Sequence, residues 1–423
     1  MPFPLLPVCA ARRIARRAAR IALPLVLAGT ALPVGAGDDR LLRQAREQRQ
    51  TFLEELAALV AIDSGSEHGA GLARLAGRLA GRLRALGAEV ELVSAKPAAG
   101  STVVGRLRGA GQGRILMMIH MDTVYPEGEA QRRPFRTDGA RAYGPGVADA
   151  KGGIVMILQA LEIARRRGFD DYERITVVFN ADEEISSVGS RDLIRRLASE
   201  HDVVLSYEPP PRPGTVITST NGIAYLDLEV KGRSAHAGAA PETGRNAAVE
   251  LAAQILRLQD LGDASRGTTV NWTVLEAGDR KNRIPDRARA TADMRMKDLA
   301  EVERVRRDVR ERIRRRHVPD TEVGFTLTPQ RPPLPPNRAT ASLASLAARI
   351  HGEIGRTLEP IAMGFGTDAG FAHVPGGEGP AVLEGLGVVG GRLHSPDEWA
   401  DLESIPARLY LSVRLLEELA ARR

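Results

Sequence analysis

The stretch Ile115-Leu116-Met117-Met118-Ile119 is an apolar run that ends in His120-Met121-Asp122. A second apolar run covers residues 174–179, and a stretch with helical spacing of its apolar residues, 154–167, lies between the two runs. This order predicts a strand, a helix and a strand. Strands that are apolar on both faces are typical of a parallel sheet that is covered by helices. We therefore predict an α/β fold with a mainly parallel sheet flanked by helices.

The pattern of apolar residues changes between positions 220 and 331. Six segments follow one another in the order strand, helix, strand, strand, helix, strand, at 222–230, 246–261, 268–274, 287–295, 299–316 and 322–328. This order is that of a ferredoxin-like α+β domain. Proline-rich connectors at 209–213 and 332–336 flank it. We predict an inserted domain at 220–331 that divides the main domain into 40–219 and 332–423; rigid surface loops within one domain are the alternative.

Composition excludes several classes of protein. The chain has 423 residues, of which 43% are hydrophobic and 26% are charged, as in ordinary globular proteins and unlike collagen-like or largely disordered chains. The basic excess lies in the first 36 residues, and the rest of the chain holds 54 basic and 53 acidic residues. Only 4% of the residues are aromatic. Because the chain after residue 36 is nearly neutral and has few aromatic side chains on which bases could stack, we predict no nucleic-acid partner.

The first 36 residues have the order of an export signal. Five arginines at positions 12–20 precede the apolar run 21–34, and small residues follow at 35–37. The run is shorter than the roughly 20 residues of a membrane span. We predict a signal peptide at 1–36, cleaved near Ala36 after export by the Sec or the twin-arginine route; a retained anchor is the alternative. The mature protein would be periplasmic or secreted, with no stable membrane anchor, and it would lack the one cysteine, Cys9.

Acidic and histidine side chains follow the predicted strands or lie in glycine-rich loops. They are His120, Asp122, Asp149, Asp182, Glu183, Glu184, Glu208 and His394. Taken singly, each has a structural explanation: Asp149 could cap a helix, and Glu208 could be a surface acid. Sites in open α/β sheets form at the carboxyl ends of strands, so these side chains can converge. Nitrogen and oxygen donors together suit Zn²⁺ and are compatible with Mn²⁺ or Co²⁺.

Seven segments, taken in chain order, resemble those of the M20 family of co-catalytic zinc metallopeptidases. They are His120-Met121-Asp122-Thr123, residues 146–153, Asp182-Glu183-Glu184, Ser206-Tyr207-Glu208-Pro209, Ser234-Ala235-His236-Ala237-Gly238, Gly366-Thr367-Asp368 and Leu393-His394-Ser395. The resemblance runs from about Arg40 to the C-terminus. Through residues 221–225 and 234–241 the chain looks closest to the glutamate carboxypeptidase, glucarpidase-like branch. The main domain would then be the catalytic domain, and the inserted domain a lid or dimerisation domain.

The resemblance implies a role for each matching residue in a site with two Zn²⁺ ions per chain. The implied metal ligands are the bridging Asp149, with His120 and Glu208 for one ion and Glu184 and His394 for the other. Asp122 would orient His120, and Glu183 would be the general base. A cis peptide bond is implied between Asp149 and Ala150.

In the inserted domain, the resemblance implies that His236 stabilises the oxyanion, in some members from the partner subunit. Asn282 and Arg295 would bind the substrate carboxylate. Two alternatives stay open from the residues alone: His236 could be structural, and Arg295 could simply pair with an acid such as Asp293.

The expected function is that of a metal-dependent exopeptidase or amidohydrolase that releases a C-terminal amino acid, with glutamate expected, from a small peptidyl or N-acyl substrate. An aminoacylase, an N-acetyl-amino-acid deacetylase or a dipeptidase with the same site is the alternative within the family. A metal or peptide binder without hydrolytic activity, or an assembly protein, would represent another class. A homodimer formed through the inserted domain is expected.

Overall fold

The computed structural model describes residues 37–374 and 379–421, and the predicted signal peptide, 1–36, lies outside the described residues. The first part of the main domain extends to residue 220. Its helices and strands are α1 (Asp39–Glu47), α2 (Arg49–Val60), α3 (Gly69–Ala85), β1 (Glu89–Ser94), β2 (Ser101–Arg108), β3 (Arg114–His120), α4 (Glu129–Arg132), β4 (Arg136–Thr137), β5 (Arg141–Tyr143), α5 (Lys151–Arg166), β6 (Arg174–Asn180), α6 (Arg191–Ser199), β7 (Val203–Ser206) and β8 (Thr215–Thr220).

The inserted segment and the return to the main domain complete the chain. The inserted segment contains β9 (Gly222–Lys231), β10 (Ala235–His236), α7 (Ala247–Arg257), β11 (Thr269–Ala277), β12 (Arg283–Ile284), β13 (Arg287–Met296), α8 (Ala300–Arg312) and β14 (Glu322–Arg331). The return contains α9 (Arg338–Gly352), β15 (Glu359–Met363), α10 (Ala369–Ala372), β16 (Ala381–Leu383), β17 (Gly390–Gly391), β18 (Trp399–Asp401) and α11 (Ile405–Ala420).

The main sheet has the strand order β1-β2-β6-β3-β7-β16. Strands β6, β3, β7 and β16 are parallel, whereas β1 and β2 join antiparallel at one edge. Strand β3 lies near the centre, with Met117 between Val177 of β6 and Leu205 of β7. The two faces of β3 pack into different hydrophobic clusters, Met117 among the large set of helices that includes α5 and α11, and Met118 against α6 and α10. The predicted α/β class, with a mainly parallel and doubly covered sheet, is confirmed.

The inserted segment folds around a sheet of its own. Its strand order is β11-β13-β9-β14, and every neighbouring pair is antiparallel. Helices α7 and α8 contribute Leu251 and Val305 to a hydrophobic cluster with Leu228 and Met294 from the strands. This is the ferredoxin-like arrangement that the order of segments predicts.

In the inserted segment β10 and β12 form a separate antiparallel pair, and two smaller groups of strands in the main domain were not identified from the sequence. Strands β8 and β15 pair in parallel beside the inserted segment, and β17-β18-β5-β4 form a small antiparallel sheet. Both groups join residues from before and after the inserted segment, so the two parts of the main domain are one structural unit. None of the helices in the described part of the chain is both long and apolar enough to cross a membrane.

Two helical glycines give a matched test of the packing between helix and sheet. A Cβ atom added at Gly153 of α5 would overlap with the carbonyl oxygen of buried Tyr207, whereas one added at Gly77 of α3 would meet nothing within 4 Å. We expect Gly153→Ala to destabilise the fold by about 1–3 kcal/mol, as overpacking does. Gly77→Ala should stabilise it by roughly 0.5–1 kcal/mol, because alanine restricts the unfolded chain. Urea unfolding measures both, and equal stability of the two variants would contradict this packing.

Candidate metal centre

The carboxyl ends of β3, β6 and β7 bring together residues that are far apart in the chain. His120 is the last residue of β3 and lies beside Asn180, the last residue of β6. A short 3-10 helix, Glu183–Ile185, follows β6, and Glu208 follows β7 by two residues. Because parallel strands end at the same edge of a sheet, the three polar segments face one pocket.

Asp149 lies at the centre of this pocket, just before α5. The peptide bond between Asp149 and Ala150 is cis, as the family resemblance implies. Oδ1 of Asp149 is 3.0 Å from Nε2 of His120, and Oδ2 of Asp149 is 3.2 Å from Nε2 of His394. A carboxylate that presents one oxygen to each of two histidines has the arrangement of a ligand that bridges two cations.

Each histidine also has a carboxylate of its own. Oε2 of Glu208 is 3.8 Å from Nε2 of His120, and Oε2 of Glu184 is 3.4 Å from Nε2 of His394. Ligand atoms of His120, Asp149 and Glu184 lie within 4.8 Å of one another. The structure therefore brings together all five residues that the resemblance implies as metal ligands, in the implied pairs on the two sides of Asp149.

The charges of this cluster fit bound cations. Burial, with the nearby charges of Asp149 and Glu183, raises the pKa of both Glu184 and Glu208 to about 7. Hydrogen bonds with Asp149 and Glu184 raise the pKa of His394 to about 10, so these carboxylates stabilise positive charge on this histidine. Among the described residues, the buried Oε1 of Glu184 has no hydrogen-bond partner. Divalent cations held by these nitrogen and oxygen donors would satisfy this atom and neutralise the carboxylates.

Asp122 lies behind His120, in the position that a residue orienting a metal-binding histidine would take. Nδ1 of His120 lies 3.1 Å from the carbonyl oxygen of Asp122 and 3.4 Å from its Oδ1. The fully buried carboxylate of Asp122 also accepts hydrogen bonds from the backbone N–H groups of Glu183 at 3.0 Å and Glu184 at 3.1 Å. One side chain thus fixes both a histidine ring and the backbone of the next two functional residues.

Glu398 holds the loop of Asp149, and sequence reasoning did not identify it. Its Oε1 accepts hydrogen bonds from the N–H groups of Ala148 at 2.9 Å and Asp149 at 3.0 Å. Its Oε2 accepts from the N–H of Gly146 at 3.1 Å and from the hydroxyl of Tyr125 at 2.8 Å. Burial raises the pKa of this carboxyl group. In the sequence Glu398 is one more acid after Asp397, and nothing local marks it.

Arg331 contacts the predicted general base and was also missed. It is the last residue of β14, is buried, and places its guanidinium 2.5 Å from Oε1 of Glu183. It also donates to the backbone carbonyl groups of Glu183 and of Gly366, the latter at 2.7 Å. Burial alone would lower the pKa of Arg331, but the charges of Glu183 and Asp368 raise it above its usual value. Arg331 therefore stays charged and holds Glu183 at the wall of the pocket.

A cavity of about 410 Å³ opens over this cluster, and we call it the metal cavity. The five candidate ligands and Glu183 line it, with four residues of the inserted segment, Ile223, Tyr225, Arg295 and Arg331. Arg295 forms a bidentate pair with Asp293 at 2.7 and 2.8 Å, which is the alternative that the sequence left open. It borders the cavity while its guanidinium is engaged by this acid.

His236 and Asn282 are not brought to the metal cavity. Both are exposed, on the paired strands β10 and β12 or next to them. Nδ1 of His236 accepts hydrogen bonds from the N–H groups of Gly238 at 3.2 Å and Ala239 at 3.1 Å. The carbonyl of Asn282 accepts from the N–H of Ala237 at 2.9 Å. Within one chain these contacts are structural, and the roles implied for the two side chains stay predictions.

Known proteins resemble this chain in sequence and in fold. A model of the peptidase family M20/M25/M40 matches residues 116–418. Carboxypeptidase G2 from Pseudomonas sp. (strain RS-16) is 37% identical over 399 residues, 93% of this chain and 95% of that protein. Succinyl-diaminopimelate desuccinylase from Methylobacterium radiotolerans is 31% identical over 309 residues, 68% of this chain and 77% of that protein. The crystal structure of a tripeptidase from Staphylococcus aureus shares the fold, with a TM-score of 0.75 at 20% identity, covering 88% of this chain and 99% of that chain.

We expect Glu398→Gln to weaken metal binding by about 10–100-fold, in the range seen when a residue behind a metal ligand is changed. An amide at this position presents an NH₂ group to backbone N–H donors, so the loop of Asp149 would lose part of its support. Competition with a chromophoric chelator measures the affinity. The matched control is Glu403→Gln, because the Glu403 side chain is 73% exposed. Equal metal affinity in both variants would show that Glu398 does not position Asp149.

Proposed function

The chain belongs to the peptidase family M20/M25/M40, as its ordered segments predict, and is a metal-dependent hydrolase; within that class we propose that it releases the C-terminal amino acid, preferably glutamate, from small peptidyl or N-acyl substrates. We propose two Zn²⁺ ions per chain, for which Co²⁺ or Mn²⁺ can substitute. The observation that carries the proposal is the position of Asp149, with one oxygen toward His120 and the other toward His394.

Glu183 is the residue that moves the proton in this proposal. When bound, a pair of divalent cations supplies a water of lowered pKa and polarises the amide carbonyl. Glu183 takes the proton of that water and passes it to the nitrogen of the leaving amino acid. Its Oε1 is held by Arg331, so Oε2 is the oxygen that we assign to the proton transfer.

Two arginines support recognition of an acidic leaving group. Arg295 and Arg331 both border the metal cavity, and a guanidinium can bind a carboxylate through two parallel hydrogen bonds. Arg331 stays on Glu183, so Arg295 is the side chain that would bind a carboxylate of the leaving glutamate, in exchange for Asp293. The preference for glutamate also rests on the resemblance of residues 221–225 and 234–241 to the glutamate carboxypeptidase branch.

Removal of the metal and removal of the base test the reaction separately. We expect about two metal ions per chain, complete loss of glutamate release from N-benzoyl-glutamate after chelation, and recovery with Zn²⁺. Glu183→Gln should keep the metals and lower kcat by about 10²–10⁴-fold, because it cannot accept a proton. Metal analysis and assay of free amino acid measure these effects. A protein without metal, or an active Glu183→Gln variant, would contradict the mechanism, and faster release of neutral amino acids would favour the aminoacylase or dipeptidase alternative.

We propose that two copies associate through the inserted segment. Strand β11 is an edge strand of its sheet, and Val274 and Leu275 on it are 46% and 59% exposed. On the adjacent helix α7, Val249 and Leu256 are 43% and 66% exposed. Apolar side chains on an unpaired edge and a neighbouring helix are typical of a self-association surface. A second copy on this surface is also what the role implied for His236 across subunits would need.

Charge placed on this surface should separate the copies. We expect wild-type protein to be a dimer by sedimentation at micromolar concentration, and the double variant Leu256→Glu, Leu275→Lys to be a monomer, because burial of the new charges is unfavourable. Leu92→Glu is the control, since Leu92 is 50% exposed on the edge strand β1 of the main sheet. A monomeric wild type, or a variant that stays dimeric, would exclude this interface.

We also propose that the protein is exported and acts in the periplasm or outside the cell. Support comes from the arginines, apolar run and small residues of positions 1–36, and from the absence of cysteine after Cys9. A protein that leaves the cytoplasm without cysteines depends on its hydrophobic core and on bound metal for stability.

A further inference from the structure

His394 is the most exposed of the five candidate ligands. Its side chain is 53% exposed, whereas those of His120 and Asp149 are 1% and 10% exposed. A metal-binding histidine is usually fixed by a hydrogen bond to its other ring nitrogen, and Nδ1 of His120 has such a neighbour in Asp122. Among the described residues, Nδ1 of His394 has no hydrogen-bond partner. The position of His394 therefore has to come from its backbone.

The backbone around His394 is in an unfavourable conformation. The φ angle is 58° at His394 and 54° at Arg392, in the left-handed region that residues other than glycine seldom adopt. Such a conformation persists only where the surrounding structure maintains it. We call residues 392–396 the His394 loop, and the contacts of this loop with the rest of the fold decide where the histidine lies.

Arg133 provides two of these contacts from another part of the chain. It follows helix α4, and its Nη1 donates to the carbonyl oxygens of Ser395 at 3.3 Å and Pro396 at 2.8 Å, the two residues directly after His394. The hydroxyl of Tyr125 lies 2.9 Å from the same carbonyl oxygen of Ser395. The guanidinium carbon of Arg133 lies 4.6 Å from the centre of the Tyr125 ring. The arginine and the tyrosine therefore hold the His394 loop together.

Arg133 is itself fixed in place. Its side chain is only 18% exposed, and its Nε donates to the buried carboxylate of Glu129 in α4. Because Nε is bound to the helix and Nη1 to the His394 loop, the rigid guanidinium sets the separation of the two segments. Arg133 is not among the described residues that line the metal cavity. Its influence on the metal centre can therefore act only through the loop.

We propose that Arg133 is a positioning residue for His394, and that it sets the affinity for the cation that His394 and Glu184 would bind. This inference rests on the proposed pair of cations. Among the described residues, Arg133 contacts neither His120 nor Glu208, the ligands proposed for the other cation. Without the arginine the loop can relax, and the cation then has to order His394 again when it binds. Loss of Arg133 should weaken one cation position and spare the other, whereas a general loss of stability would weaken both.

Stepwise removal of Co²⁺ from the fully loaded protein by a competing chelator, followed by visible absorption, measures the two affinities. We expect Arg133→Gln to lower the affinity for one cation by about 10–100-fold and for the other by less than about twofold. The weakened position should be the one that His394→Ala abolishes. Arg136→Gln is the matched control, because Arg136 also stacks on a tyrosine ring, that of Tyr143 at 3.9 Å, and makes no contact with the described His394 loop. It should keep both affinities.

The possible results separate this inference from the proposed function. If the wild-type protein binds fewer than two Co²⁺ ions, the proposed pair of cations fails and the role of Arg133 fails with it. If it binds two, but Arg133→Gln keeps both affinities or lowers both by the same factor, the proposed metal centre stands and Arg133 does not position His394. Should the glutamine variant not fold, Arg133→Lys takes its place, because lysine keeps the charge but lacks the planar fork; about a tenfold loss at the same position is expected.

Discussion

Mutual repulsion among buried carboxylates is the constraint on which the rest of the site depends. Asp149, Glu183, Glu184 and Glu208 border one cavity, and burial without compensation would be strongly unfavourable for ions of the same sign. The protein supplies part of the compensation through histidines and through Arg331 beside Glu183. Divalent cations would supply the rest, so the free energy of metal binding offsets an arrangement that the fold alone tolerates poorly.

Much of the fold and most of the cluster could be predicted because their signals are local. An apolar strand followed at once by a histidine or an acid, as at Ile119 and His120, shows both the strand and the residue at its end. Glu398 and Arg331 could not be found in this way. Glu398 contacts residues that lie about 250 positions earlier, and Arg331 contacts Glu183 across 148 positions. Only the three-dimensional arrangement distinguishes them from the many other acids and arginines of the chain.

The antiparallel edge of the main sheet shows a similar limit. The short connection between β1 and β2 is compatible with an antiparallel pair, but the antiparallel pairing of β2 with β6 is a contact between segments that are far apart. The inserted segment is a contrasting case, because its sheet also pairs distant strands, β9 with β13 and β14, but its order of strands and helices is that of a common motif and can be recognised in the sequence. What the sequence leaves open there is which partner a side chain contacts, as when Arg295 pairs with Asp293.

Substrate binding depends on what surrounds the candidate ligands as well as on the ligands themselves. The five candidate ligands are nearly symmetric about Asp149, with one histidine and one carboxylate on each side, so the cluster by itself gives an amide no preferred direction. The wall of the metal cavity breaks this symmetry, because the inserted segment lines it with Ile223, Tyr225, Arg295 and Arg331. The nitrogen half of an amide is the leaving group in either direction of binding. These side chains would therefore select which substrates bind with the scissile bond at the candidate ligands, and they would not change which half of the amide leaves.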